Sequence, residues 1–358
     1  MENKRLQALF DNACPSIRVR AREEIYRSPL SDGERQQFYR ELMENPRVQT
    51  VLGWQSPDGY FGERLHTPPA KSRVWPHEGC VRFLLEMGFR PDFPPLRRAL
   101  DAMLRDGWGK ECDGSPAAEA FGYPCIRASL FAQAGLTGDG IDAELREWSR
   151  AALSAFSCVA ETASSEDMTY VVRGKHAFRA GKALPTIYML RVLAYTGGWR
   201  TPENLAMLRR AYKKLYDWLP LPPSYIRNRS GLVAPAGSII MPLNADASDP
   251  LSFWWFSFYE LSARMGLLEP DSPFRPHLEN LALRLRQNGG FFLDDFSKNG
   301  WVFWSGYSGM ALENDWKIRQ KRINDLTFRS HLLFALTGMD ELSLSDGFPA
   351  ERQLGVRI

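Results

Sequence analysis

Residues 253–268 read FWWFSFYELSARMGLL, an apolar segment of helical length that ends close to a glycine. Apolar side chains fall on nearly every side of such a helix, so it has to lie inside a larger helical protein. Glycine just beyond the last apolar turn is the usual left-handed stop of an α-helix. The segment therefore predicts a buried helix that ends at Gly266.

The same ending occurs at four other places in the chain. These segments are LLEMGF at 84–89, FAQAGL at 131–136, LAYTGGW at 193–199 and FALTGM at 334–339. Amphipathic helices precede several of them, as in 96–104, 141–156 and 278–285, where apolar residues recur every three or four positions. Each unit therefore predicts an outer amphipathic helix followed by a buried inner one.

Repetition of this pair predicts an all-α fold, an α/α toroid with two concentric layers of helices. Five helix pairs occupy residues 46–339, helices within 1–45 supply a sixth pair, and 340–358 form a tail, all in one domain. A closed ring needs no polar capping repeats, whereas an open solenoid does. No sustained alternation of apolar and polar residues indicates a strand. The longest irregular stretch is 220–249, which is rich in proline.

The composition and the N-terminal sequence limit the classes to which this protein can belong. The chain has 45 Lys and Arg against 42 Asp and Glu, a balance that argues against charge-driven binding of nucleic acid. No segment approaches the roughly 18 consecutive apolar residues of a membrane span. The N-terminal residues MENKRLQALFDNACPS have no apolar core followed by a cleavage site. We therefore expect a cytoplasmic protein whose five cysteines are free thiols.

Two short motifs lie between helices of the repeat. One is Gln55-Ser-Pro-Asp-Gly-Tyr-Phe-Gly62, and the other is Gln287-Asn-Gly-Gly-Phe-Phe292. A glutamine that closes an outer helix, a glycine turn and an aromatic residue together resemble the repeat of terpenoid cyclases and protein prenyltransferase β subunits. The resemblance covers about residues 46–339. It implies an α/α toroid with a central cavity that takes a small hydrophobic, isoprenoid-like ligand.

The active sites of those families match this chain only in part. His331 fits the histidine that opens the last inner helix of the prenyltransferase zinc site, but the Asp-x-Cys position is Asp249-Pro250-Leu251 and lacks the thiolate. We therefore expect no tightly held zinc, and we assign no cofactor. The Asp-x-Asp-Asp acid motif of the cyclases is represented only by Asp246 and Asp249.

If the inner helices point their N-terminal ends at one mouth of the toroid, several polar residues converge there. The candidate acids and bases are Asp249, Asp246, His331, Asp325 and Glu78. The candidate substrate-binding residues are His77, Lys182, Arg329, Trp255, Trp301, Trp304 and Tyr307, of which Lys182 and Arg329 would neutralise an anionic group. Helix capping by the aspartates, a core position for His331 and core packing of the aromatics remain open as alternatives.

Three functions are compatible with these features. The leading interpretation is an enzyme like the terpenoid cyclases and prenyltransferases, which converts a hydrophobic substrate by acid or electrophilic chemistry. The second is a carbohydrate-active hydrolase or lyase with two opposed carboxylates, such as Glu78 and Asp249. The third is a toroid that binds a ligand or a partner without catalysis. A dry aromatic cavity would favour the first, a wet cleft the second, and a filled centre the third.

Overall fold

A computed structural model describes residues 2–62, 64–66, 72–106, 122–228, 231–247, 252–293, 300–304 and 308–339. The α-helices within these ranges are Glu2–Asp11 (α1), Pro15–Arg20 (α2), Asp32–Met43 (α3), Pro46–Leu52 (α4), His77–Met87 (α5), Pro94–Asp106 (α6), Tyr123–Ala134 (α7), Asp139–Glu161 (α8), Ile187–Tyr195 (α9), Pro202–Asp217 (α10), Ile240–Asn244 (α11), Phe253–Arg264 (α12), Arg275–Gln287 (α13) and Arg319–Thr337 (α14). A π-helical segment, Ala21–Ile25, continues α2, and a 3-10 turn spans Ser165–Asp167. The strands are Thr169–Val172 (β1), Lys175–Phe178 (β2), Ser224–Asn228 (β3) and Gly231–Val233 (β4).

The protein is mostly helical, and the helices α5, α7, α9, α12 and α14 coincide with the five segments that the sequence predicts to be buried inner helices. Each is buried along most of its length. They contact one another in chain order: α5 packs on α7, α7 on α9, α9 on α12 and α12 on α14. Helix α14 packs on the π-helical segment after α2, and Arg20 at the end of α2 forms an ion pair with Glu86 of α5.

The helices that the sequence predicts to be outer ones bury a single stripe of residues. In α8 the buried residues recur along one face (Leu145, Ser149, Ala152, Ala155, Phe156 and Val159). Helix α8 packs on both α7 and α9, and α10 packs on α8. Similarly, α6 contacts α5, and α13 contacts α14. Amphipathic periodicity therefore predicted correctly which face of α8 is buried.

Local signals account for several helix ends. Gly88 and Gly338 follow α5 and α14 in the left-handed conformation, with φ of 100° and 60°. Gly197 does not have this role, because α9 ends at Tyr195 and the next residue, Thr196, has an extended conformation. The prediction of a glycine stop is wrong there, since the Thr196 hydroxyl donates to the carbonyl of Val192 instead.

A four-stranded sheet corrects the expectation of a strictly all-α chain. β1 and β2 form an antiparallel pair, β2 pairs in parallel with β3, and β3 pairs antiparallel with β4. Strands β3 and β4 and the helix α11 fall within 220–249, which the sequence had marked as irregular. The strands are three to five residues long, too short to show a sustained alternation. None of the helices in the described ranges is long and apolar enough to cross a membrane.

Candidate functional site

A glutamate, a histidine and a tyrosine meet near the N-terminal ends of α5 and α9. Oε2 of Glu78 lies 2.8 Å from Nδ1 of His66, and Oε1 accepts a 2.6 Å hydrogen bond from the hydroxyl of Tyr188. The same hydroxyl is 3.4 Å from His66 Nδ1. All three side chains are buried, and Glu78 has no exposed surface. We refer to Glu78, His66 and Tyr188 as the Glu78 cluster.

Backbone hydrogen bonds bring the members of the cluster together. The amides of His77 and Glu78, in the first turn of α5, donate to the carbonyls of Arg64 and Leu65. These bonds hold the following residue, His66, beside the start of the helix. The amides satisfied in this way are among those that a helix N-terminus leaves without intrahelical partners.

The cluster has the composition of a proton-transfer group. A carboxylate at Nδ1 of an imidazole favours the neutral tautomer that carries its proton on Nδ1 and its lone pair on Nε2. The same carboxylate stabilises the imidazolium that forms when Nε2 accepts a proton. His66 can therefore take up and return a proton while Glu78 orients it.

Two arginines lie next to the Glu78 cluster. Arg82 is one turn after Glu78 on α5; its guanidinium donates to the carbonyl of Ser308 and lies 5.1 Å from the ring centroid of Trp304. Arg191 of α9 lies 5.6 Å from the ring centroid of Tyr188. Burial and the neighbouring charge of Arg191 lower the pKa of Arg82 to about 10. Positive charge is therefore concentrated beside the cluster.

A network of ion pairs joins the inner helices further along their length. Arg329 donates to Oε2 of Glu260 at 2.9 Å and to Oε2 of Glu86 at 3.0 Å, and Arg20 contacts Glu86 at 2.6 Å. Arg264 contacts Glu260 at 2.9 Å. Burial alone would raise the pKa of the Glu86 carboxyl, but the charges of Arg20 and Arg329 hold it below its usual value. With Glu24, which pairs with Arg20 and Arg264, the network contains three arginines and three glutamates.

A small polar cavity separates the network from the arginines beside the Glu78 cluster. Its volume is about 20 Å3. Its lining includes Arg82, Arg191, Glu86, Glu260, Tyr195 and Trp304. Roughly 10–15 Å3 suffices for one water molecule, so this space holds about one water.

Gly79 follows Glu78 on α5 and packs against the segment that carries Trp304. A Cβ atom at Gly79 would collide with the backbone carbonyl of Trp304. We expect Gly79→Ala to lower the free energy of unfolding by about 1–3 kcal/mol, because backbone cannot yield as a flexible side chain does. Urea titration of both proteins measures the difference. The matched control is Gly140→Ala, in the first turn of α8, where a Cβ has nothing within 4 Å and alanine should be neutral or stabilising.

Two of the other predicted residues, His77 and His331, make buried structural contacts outside the Glu78 cluster. His77 accepts the Phe61 amide at Nδ1 (3.0 Å) and its Nε2 lies 3.3 Å from the Ala99 carbonyl. His331 contacts the carbonyl of Gly290 at 2.9 Å through Nε2. Burial lowers the pKa of both histidines to about 4. Both imidazoles are therefore neutral at physiological pH.

Asp325 anchors a loop. It accepts hydrogen bonds from the amides of Leu312 and Glu313 and from the indole of Trp316, at 2.8, 2.9 and 2.6 Å. Burial and the charge of Glu313 raise its pKa to about 6, although these donors oppose the rise. The contacts connect α14 to the loop before it.

Asp246 and Lys182 lie apart from the Glu78 cluster. Asp246 is exposed after α11, and its charge opposes the burial that lowers the pKa of His277. Lys182 donates to the hydroxyl of Thr162 at 2.9 Å. Arg329 belongs to the ion-pair network, where two glutamates already neutralise it. Asp249 and Tyr307 lie outside the described residues.

The predicted aromatic residues pack mainly against other aromatics. Trp255 stacks on Tyr259 with ring centroids 3.9 Å apart, and Trp301 stacks on Trp316 at 4.9 Å. Trp304 packs edge-on against Phe83 and borders the small cavity. Of these predicted residues, Trp304 therefore lies closest to the Glu78 cluster.

Sequence reasoning missed His66, Tyr188, Arg82 and Arg191. A signal for part of this set was present, because Glu78, Arg82 and Glu86 recur every four residues on an otherwise apolar inner helix. Charges in one stripe of a buried helix have to face other polar groups. His66 lies between helices and carried no such periodic signal.

Among the residues that the structure describes, no group of three or more His, Cys, Asp or Glu side chains could hold a metal ion. A comparison of the chain with protein-family models, with curated proteins and with solved structures finds no match.

Proposed function

We propose that the protein is an α/α-toroid enzyme that transfers protons on a polar substrate at the Glu78 cluster. The toroid is supported by the chain-order contacts of the inner helices and by the Arg20–Glu86 ion pair, which connects the last contact back to α5. The proton-transfer function rests on one observation, the buried carboxylate of Glu78 bonded to both His66 and Tyr188.

The polar lining supports a polar substrate over an isoprenoid one. A terpenoid-type reaction needs a dry aromatic surface that stabilises a carbocation, whereas the small cavity next to Arg82 and Arg191 is also lined by the carboxylates of Glu86 and Glu260. Proton transfer on a polar substrate is the chemistry of hydrolases and lyases, and the second class that the sequence suggested was a carbohydrate-active hydrolase or lyase. In this proposal His66 exchanges the proton with substrate, and Glu78 is a positioning residue.

The first test measures substrate turnover in variants of the Glu78 cluster. Purified protein is incubated with a metabolite extract, and the compounds consumed are identified by mass spectrometry. We expect Glu78→Gln and His66→Gln to slow consumption by about 10²- to 10⁴-fold, the usual contribution of a positioned acid or base. The exposed Glu269→Gln is the matched control and should behave as the unchanged protein.

A pH profile separates positioning from structural support. Glu78→Gln keeps a hydrogen-bond acceptor for Tyr188 but removes the charge that stabilises imidazolium, so the pH dependence of its residual activity should shift to lower pH. A variant that folds normally and consumes the same compounds at the same rate would refute the assignment. Retention of a ligand without its consumption by the unchanged protein would instead support a non-catalytic toroid.

A further inference from the structure

The four-stranded sheet concentrates positive charge. The stretches 168–187 and 218–245, which contain its strands, hold six Lys and Arg residues and no Asp or Glu. The nearest acids in sequence to β1, Glu166 and Asp167, lie in the 3-10 turn before it. Six exceeds the formal net charge of the whole chain, +3, so the remainder of the chain is slightly acidic. The overall balance of charge, from which we expected no charge-driven binding of nucleic acid, therefore conceals a local basic surface.

The cations of the sheet are accessible and have no acidic partner. The strands make most of their close contacts with one another, and the exposed cations on and beside them are Arg173, Lys175, Arg179 and Arg227. None of these four side chains forms an ion pair with a described acid. On the outer helix α10, in contrast, Arg209 pairs with Glu269, and Lys213 pairs with Asp217. The sheet therefore offers positive charge that the described acids do not neutralise.

The register of the sheet places two tyrosines in one row. Ala177 of β2 pairs with Tyr170 of β1 on one side and with Tyr225 of β3 on the other. Paired residues of neighbouring strands project from the same face, and strands lie about 4.8 Å apart, so the tyrosine backbones are about 10 Å apart across the small alanine. Both tyrosines are half-buried, so each keeps part of its surface accessible.

Cations stand on both sides of this row. Lys175 is two residues before Ala177 on β2, and Arg227 is two residues after Tyr225 on β3. Because successive side chains of a strand alternate between faces, both cations share the face of the tyrosines. Their contacts agree: Lys175 Nζ lies 5.1 Å from the ring centroid of Tyr225, and Arg227 donates to the hydroxyl of Tyr170 at 3.2 Å. We refer to these five residues as the tyrosine face.

We propose that the tyrosine face binds single-stranded nucleic acid, with phosphates at Lys175 and Arg227 and bases stacked on Tyr170 and Tyr225. Aromatic rings beside cations are the combination that binds single strands without sequence preference. Cations alone would suffice for an acidic protein or an anionic membrane, so the tyrosines favour nucleic acid. In a duplex the faces of the bases are stacked on one another and do not reach the rings. The tyrosine face shares no residue with the Glu78 cluster, so this proposal is independent of the proposed function.

The test measures the fluorescence anisotropy of fluorescein-labelled oligo(dT) and oligo(U), each titrated with the full chain at several salt concentrations. We expect saturable binding of both, and weaker binding of a duplex of the same length. The logarithm of the association constant should fall with the logarithm of the salt concentration with a slope of about −1.4 to −3, which corresponds to about two to four phosphates. The absence of saturable binding to either oligonucleotide would overturn the proposal.

The charge of the tyrosine face is tested by Lys175→Gln combined with Arg227→Gln. Both residues are exposed, so the variant should fold normally. Its affinity at low salt should fall at least about tenfold and its salt slope by about 1.4, because two phosphate contacts are lost. The matched control, Arg209→Gln with Lys213→Gln, removes the same net charge from exposed ion pairs and should bind as the unchanged protein. Equal losses in the two double variants would show general attraction and overturn the site.

Tyr225→Leu separates base stacking from charge, because it removes the ring and keeps an apolar side chain. We expect its affinity to fall by about tenfold or more with an unchanged salt slope. Phe303→Leu, which changes an exposed aromatic residue elsewhere, is the control and should keep full affinity. Thermal unfolding checks that each variant folds, and full affinity in folded Tyr225→Leu would overturn the proposal.

Competition on the unchanged protein gives a readout that needs no variant. Inorganic polyphosphate, polyglutamate and phosphatidylserine vesicles carry negative charge without bases, and each should displace labelled oligo(dT) less well than unlabelled oligo(dT) does at equal charge. Equal displacement by polyphosphate or polyglutamate would show that charge alone acts and would overturn the proposal. Better displacement by the vesicles would show a membrane-binding surface instead.

Discussion

Arg329→Met is expected to lower the free energy of unfolding by about 3–5 kcal/mol, the usual cost of removing one partner from a buried ion pair. Arg329 is 1% exposed and contacts Glu260 at 2.9 Å and Glu86 at 3.0 Å. It also donates to the carbonyl of Met310 at 2.8 Å. Its loss leaves two buried carboxylates with less compensation and frees the loop before α14. Urea titration at neutral pH measures the change.

Two further variants show whether geometry or charge is responsible. Arg329→Lys keeps the charge but lacks the planar fork that reaches both carboxylates and the carbonyl, so we expect an intermediate loss. Arg209→Met is the control, because the exposed pair with Glu269 should contribute less than about 1 kcal/mol. Equal losses in Arg329→Met and Arg209→Met would show that the network does not stabilise the fold.

Acidification from pH 6.5 to pH 4 is expected to destabilise the protein. His77 and His331 have folded-state pKa values lowered by burial to about 4. In the unfolded chain a histidine takes up its proton near pH 6.5, so between these values only the unfolded state is protonated. Each histidine therefore costs about 3 kcal/mol of stability by pH 4, and nothing above pH 7.

Protonation of Asp325 stabilises the folded protein over part of this pH range. Burial and Glu313 raise its folded-state pKa to about 6, above the ordinary 3.8. As pH falls below 6 the folded state binds a proton before the unfolded state does, which stabilises the fold by up to about 3 kcal/mol. The expected net loss between pH 6.5 and pH 4 is therefore about 3 kcal/mol, roughly one histidine's contribution.

Denaturant titrations at pH 7, 5.5 and 4.5 follow this profile. In His331→Gln the free energy of unfolding should fall less steeply below pH 6.5, because glutamine does not titrate there. In Asp325→Asn the free energy of unfolding should fall more steeply, because the stabilising protonation of Asp325 is removed. Stability that stays constant to pH 4.5, or rises, would contradict the assignment of His77 and His331 as neutral core residues.

Most of the helices and their buried faces follow from local sequence. A period of three to four residues places one stripe of α8 against the interior, whatever the rest of the chain does. The turn at Gln55 is also local in origin, because the Gln55 side-chain amide donates to the carbonyl of Gly59. These features depend on residues within one or two turns, so the pattern of residues alone predicts them.

The sheet and the Glu78 cluster depend on the tertiary structure. His176 of β2 pairs with Ser224 of β3 only because the chain between them folds back, and strands this short carry no periodic signal. Glu78 meets Tyr188 across 110 residues and His66 from a loop without periodicity. Spacing along the chain identified Glu78 as a candidate acid and predicted its helix. Which imidazole and hydroxyl it touches was decided by packing, because those distances are set by how α5, α9 and the loop of His66 lie against one another.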